Sequence, residues 1–168
     1  MKASASDQRS ILDIQKFDFQ SATLRNKAAT LPEIAEINSL TIKQNNARDL
    51  RIAAETELSD VKRELARAEG DVEQIVTRIN RDETRLASGT GAPKELEQLQ
   101  HELGSLAARR SELEEIELEI MMRIDVIKER ITEQSDQESA LAAEITELEI
   151  KKANEMAVIS SELEAITV

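Results

Sequence analysis

The stretch Ser88-Gly89-Thr90-Gly91-Ala92-Pro93 decides the fold. It gathers two of the chain's four glycines and one of its two prolines into six residues. Gly89 can adopt the left-handed backbone that ends a helix, and Pro93 suits the first turn of the next one. A tight turn built on Gly89, Gly91 and Pro93 is therefore expected between two helices.

On the N-terminal side of this turn, apolar residues recur at alternating spacings of four and three. From Ala54 the series runs through Leu58, Val61, Leu65, Ala68, Val72, Ile75 and Ile79 to Asp82 and Leu86. Nine of these ten positions are apolar, so a narrow seam is sustained over several heptads. On the C-terminal side the pattern resumes at Leu96 and continues to Leu148, with Arg110, Glu117, Gln134 and Glu138 as its polar members. Beyond Leu148, Lys152 takes the next seam position. Met156, Ile159, Leu163 and Ile166 then follow with four extra residues, a stutter that unwinds a supercoil locally.

Two long seams joined by one short turn predict an all-α protein, a long antiparallel coiled-coil hairpin. The first arm is read as 32–88, the tip as 89–93 and the second arm as 94–168. An antiparallel pair sets Leu58 against Ile127, Val61 against Ile124 and Leu65 against Ile120, but a slip of one heptad satisfies the pattern equally. Residues 1–31 are read as a short N-terminal helix packing at the hairpin base, capped by Ser4 or Ser6 and bearing Ile11, Ile14, Phe17 and Leu24. Thr30 and Glu33 form a capping box around Pro32, so a kink or short break is expected there. No helix-stop signal precedes Val168, which suggests a helix that continues past it.

Composition excludes much else. The 168 residues include two Phe, no Trp and no Tyr, which removes the side chains that usually supply much of a globular core. No apolar run approaches the roughly 18 residues of a membrane span, and no secretory apolar region follows Met1. A cytoplasmic chain without a membrane role is expected. Cysteine is absent, so there is neither a disulfide nor a thiolate metal site. His101 is the only histidine, no serine sits on a nucleophile elbow, and Gly89-Thr90-Gly91 with Lys94 lacks the spacing and the preceding strand of a phosphate loop. The reading is of a protein that is not an enzyme.

Charge is unevenly divided. Residues 1–110 hold 17 basic and 18 acidic side chains, whereas 111–168 hold 5 and 16. Basic residues of the first arm facing Glu on the second would favour the hairpin register. An acidic stalk would also repel nucleic acid and attract a basic protein. At the tip, Arg78, Arg81, Arg85 and Lys94, with His101 farther down, form a candidate contact for phosphates or a partner, diluted by Asp82, Glu83, Glu95 and Glu97.

Several stretches carry a resemblance: Lys2-Ala3 and 7–18, Thr30-Leu31-Pro32, Ser88-Gly89, the run from Pro93 to Leu103, Leu106, and Arg109-Arg110. Together they resemble a bacterial family, in its actinobacterial form, that joins a coiled-coil hairpin to a C-terminal C4-type zinc ribbon associated with nucleic-acid binding. The resemblance implies zinc in that ribbon, and a ribbon lying past Val168. This sequence departs from the family in having no cysteine, and in having Ala92 where Asn often caps the second helix.

Three functions follow as expectations. The first is an adaptor that positions a ribbon and engages a protein partner through the tip, the sides or the base, where Met156, Ile159, Leu163 and Ile166 meet Ile11, Ile14 and Phe17. The second is an RNA- or DNA-binding tip. The third is a polymerase-channel factor, for which the loop lacks the Mg²⁺-holding carboxylates that chemistry needs. A monomer and a coiled-coil homo-oligomer are both compatible with the seam.

Overall fold

The computed structural model describes residues 4–167. Lys2, Ala3 and Val168, which bear on the resemblance and on the expected continuation, lie outside the described residues. Three helices account for the described chain: α1 (Ala5–Ala29), α2 (Pro32–Ala87) and α3 (Pro93–Thr167). α2 and α3 form the expected coiled-coil hairpin, and no strand occurs among the described residues. The turn between the arms falls at Ser88 to Ala92. The N-terminal helix has 25 residues. Ser4 directly precedes it, and its carbonyl accepts the Gln8 N–H at 3.1 Å, whereas Ser6 lies inside the first turn.

The tip forms as its residues dictate. Gly89 takes φ 61° and Gly91 φ 156°, and Pro93 is the first residue of α3. Ala92 stands at the N-cap, where its carbonyl accepts the N–H groups of Glu95 (2.9 Å) and Leu96 (3.2 Å). Glu95 reaches back, its Oε2 accepting the Ala92 N–H at 3.3 Å. This is half of a capping box, because Ala92 has no side-chain oxygen to return the bond.

At the other break the expected box does not form. Pro32 takes the first position of α2, where a missing N–H costs nothing. That moves the N-cap to Leu31, whose carbonyl accepts the Ile34 N–H at 3.0 Å. The Thr30 hydroxyl instead turns back onto α1 and donates to the Asn26 carbonyl at 2.9 Å.

The chain divides into two compact units, one of residues 1–48 with 136–168 and one of residues 49–135. The core of the 49–135 unit is a cluster of Ala54, Val61, Ala68, Ile120, Ile124 and Ile127, with Leu58, Leu65 and Ile131 packed against it. All are seam residues, and small side chains on α2 meet isoleucines on α3. Every seam position of α2 from Ala54 to Leu86 is buried or half-buried. On α3, Arg110 is the exception: it is exposed and pairs with Glu114 of its own helix at 2.6 Å.

Ion pairs beside this core select the register. Arg130 bonds Glu57, and Arg123 bonds Glu64 at 3.1 Å. These residues directly precede Ile131, Leu58, Ile124 and Leu65 in sequence. Such pairing belongs to the register with Leu58 opposite Ile127 and Leu65 opposite Ile120. The slipped register would bring Glu64 to Ile116. Both pairs also reverse the expected sense, since the base comes from the second arm. Arg78 pairs with Glu102, nearer the tip, in the expected sense of a first-arm base meeting a second-arm acid.

In the unit of residues 1–48 and 136–168, Leu31, Ile37, Ala47, Leu141 and Ile159 are buried. The seam beyond Leu148 follows the expected stutter only in part, since Met156 stays outside it. Lys152, Leu163 and Ile166 are half-buried and Ile159 is 1% exposed, while Met156 remains exposed. α1 packs through Ser21, Leu24 and Ala28, each half-buried, and Lys27 pairs with Glu155 at 3.7 Å. Ile11, Ile14 and Phe17 remain exposed, contrary to the expected docking against the end of α3. The contact falls farther along α1, where Leu24 and Thr23 share a groove with Ile166 and Ala165.

Ile124 is almost fully buried in the cluster, so Ile124→Ala removes a packed side chain and leaves a cavity. A loss of about 2–5 kcal/mol in urea-melt stability is expected. Ala92→Asn supplies the missing half of the box at the tip. It should raise stability by about 1 kcal/mol in the same measurement.

Candidate interaction surfaces

The tip brings its candidate residues together with acids between them. Arg78 pairs with Glu102 and lies 3.8 Å from Asp82, and Arg81 lies 3.5 Å from the same carboxylate. Asp82 is itself only 6% exposed, at a seam position. Arg85, Lys94 and His101 are exposed and make no ion pair among the described residues. Arg85 lines a polar depression with Glu95 and Glu102. From Arg78 to Glu102 the chain carries four basic and five acidic side chains, so the tip is electrically mixed rather than a positive patch. The loop from Ser88 to Ala92 holds no carboxylate, and the nearest, Glu95, is engaged in capping α3.

Among the described residues no group of three or more His, Cys, Asp or Glu is placed to hold an ion. The chain has no cysteine, so a C4 zinc site does not fit it. No described helix is long and apolar enough to cross a membrane.

Shallow depressions lie along the helices. One, of about 460 Å³, lies in the 49–135 unit beside Met122 and Val126, with Glu57 of α2, Arg123, Arg130 and the buried Ile127 among its walls. A second, of about 470 Å³, lies between α1 and the end of α3, against Phe19, Leu24 and Ile166. A third, of about 160 Å³, is formed by Leu50, Ala53, Ala54, Glu57, Arg130 and Gln134. Here the Gln134 Oε1 is buried without a hydrogen-bond partner. The sequence reading identified Gln134 as a polar seam member but missed the exposed row of Leu118, Met122 and Val126. Its signal was a spacing of four set half a turn away from the seam.

Two long helices with a heptad seam, turned by a Gly-Pro tip, define a coiled-coil hairpin module. The chain belongs to the family described as the CT398-like coiled coil hairpin domain, whose model matches residues 14–167. It is 34% identical over 149 residues to an uncharacterized protein of Mycobacterium tuberculosis, covering 86% of this chain and 59% of that protein. A Mycobacterium leprae relative is 26% identical over 119 residues, covering 71% of this chain and 51% of its own length. A solved Mycobacterium smegmatis chain superposes with a TM-score of 0.84 at 25% identity, over 99% of this chain and 69% of that one. The chain therefore spans less than two thirds of the length of the curated relatives it matches.

The unpartnered amide oxygen of Gln134 weakens the seam, because a buried polar group without a hydrogen bond costs roughly 1–3 kcal/mol. Gln134→Leu should raise the midpoint of thermal unfolding, read by circular dichroism. A lowered midpoint would mean that the amide is satisfied in solution.

Proposed function

We propose that this chain is a non-enzymatic scaffold, a hairpin whose exposed sides and ends receive protein partners. The supporting observation is the use of its apolar side chains. Nearly all the large ones at heptad positions close the seam between α2 and α3, and the depressions that remain are shallow and lie along the helices. A reactive centre needs a dry concave volume with convergent polar groups, which two packed helices offer poorly. In the longer relatives the same hairpin would hold the rest of the protein at a fixed place relative to partners. A zinc ribbon, if one accompanies the hairpin, has no cysteine ligand among these residues.

The nucleic-acid reading rests on Arg85, Lys94 and His101 alone, since Arg78 and Arg81 are drawn to Glu102 and Asp82. Three exposed groups amid Glu83, Glu95 and Glu97 give little net attraction for phosphate. The scaffold reading is the better supported of the two.

Photocrosslinking in cells tests it, with the crosslinker placed singly at exposed positions along α2, α3 and the tip. Discrete protein adducts are expected from some positions, and they should disappear when Ile124→Asp breaks the seam. Adducts unchanged by the broken seam, or no protein adducts at any position, would overturn the reading.

A further inference from the structure

The outward face of α3 in the 49–135 unit carries a second apolar row. Leu118, Met122 and Val126 are 60%, 69% and 65% exposed, among the most exposed large apolar side chains of the molecule. They follow one another at intervals of four, so they share one side of the helix. At about 100° per residue, Met122 points nearly opposite the direction of Leu113 and Ile131 in the seam. The row is therefore no part of the hairpin core.

The charges around this row have one sign. Within about 60° of Met122, between residues 115 and 133, stand Glu115, Glu119, Asp125, Glu129 and Glu133, and no base. The nearby bases are engaged elsewhere. Arg123 and Arg130 are held by Glu64 and Glu57 of α2, and Lys128 lies to the side, bonded to Asp125 at 3.0 Å. The groove of about 460 Å³ opens beside Met122 and Val126, and its walls also include Glu119 and the two arginines Arg123 and Arg130, whose charges are met by Glu64 and Glu57. Three aligned apolar side chains, a groove beside them and a carboxylate border are the complement of one kind of surface.

Resting on the scaffold reading, we infer that this face of α3 docks a basic amphipathic helix of a partner protein. That helix would present apolar side chains at intervals of three and four, bordered by Lys and Arg. Its apolar side would cover Leu118, Met122 and Val126, and its bases would meet Glu115, Glu119, Glu129 and Glu133. Desolvation of the row supplies the affinity, and the charges set the partner and speed the encounter.

Charge excludes the other occupants. A second copy packed antiparallel about Met122 would set Glu119 against Asp125 and Glu115 against Glu129. A parallel copy would set each carboxylate against its own equivalent. Like charges so placed oppose pairing. Nucleic acid and anionic lipid are repelled by the same border.

The test uses the full 168-residue chain and three fluorescent helical peptides, read by anisotropy. One has a Leu row bordered by Lys and Arg, one has the same composition scrambled, and one has Glu in place of each base. The first should bind at least about tenfold more tightly than either other peptide, and more weakly as salt rises. Met122→Lys should weaken that binding about tenfold or more while leaving the thermal midpoint unchanged, because the side chain lies outside the seam. Met122→Leu should retain it. Equal binding of the scrambled peptide would reduce the face to non-specific charge and overturn the proposal, as would binding unaffected by Met122→Lys or no binding of the first peptide. Failure here with crosslinks persisting at other positions overturns this face alone. Loss of every seam-dependent crosslink overturns the scaffold reading itself.

Discussion

The packing of α2 against α3 through the seam is the interaction on which the remaining structure depends. A lone helix is held by little beyond its own hydrogen bonds, so its persistence in water comes mainly from burying an apolar stripe. In the 49–135 unit that stripe has small residues on one side, Ala54, Val61 and Ala68, and β-branched ones on the other, Ile120, Ile124 and Ile127. The contrast in size lets the backbones approach while the isoleucines fill the space between them. A chain with two phenylalanines, both on α1 and both exposed, has no other means of making this core.

Specificity comes from polar groups at and beside the seam. Apolar heptads alone leave the register free to slip by seven residues. The pairs Arg130 with Glu57 and Arg123 with Glu64 remove that freedom, because a slip would leave each without its partner. Such exposed pairs are each worth less than about 1 kcal/mol, so they choose between registers rather than hold the hairpin closed. Asp82, Glu117, Gln134 and Glu138 occupy seam positions at a cost in stability. They also make a wrongly aligned hairpin worse, since a slip would set them against different neighbours.

The hairpin was legible in the sequence because heptad periodicity is a direct consequence of helix geometry, and because Gly89 and Pro93 each have one natural place in a helix–turn–helix. The end of α2 at Ala87 and the start of α3 at Pro93 follow from the same residues. The register was not legible, since it depends on which side chains reach across once the helices are paired. The Thr30–Glu33 box was misread because the preference of Pro32 for the first helical position moved the cap by one residue. The tip was harder still. Its bases are conspicuous in one dimension, but the carboxylates of Asp82 and Glu102 come beside Arg78 and Arg81 only in three. Ile11, Ile14 and Phe17 have helical spacing and lie on a helix, yet spacing alone names no partner for them.

Leu118, Met122 and Val126 carry a further consequence of two-helix architecture. A helix in a hairpin needs only one apolar side, and a row on the opposite side adds nothing to the fold. Exposed at this spacing, it would ordinarily invite self-association, because apolar surface attracts its own kind. The surrounding carboxylates counter that tendency. They penalise every pairing of this face with itself and favour a positively charged partner. The acidity of the second arm thus has a local meaning that net charge conceals. Two of its few arginines, Arg123 and Arg130, are drawn toward α2, where they fix the alignment of the arms, and the acids beside Met122 are left facing outward without them. The same allocation of charge that selects the hairpin register gives the outer face of α3 its single sign.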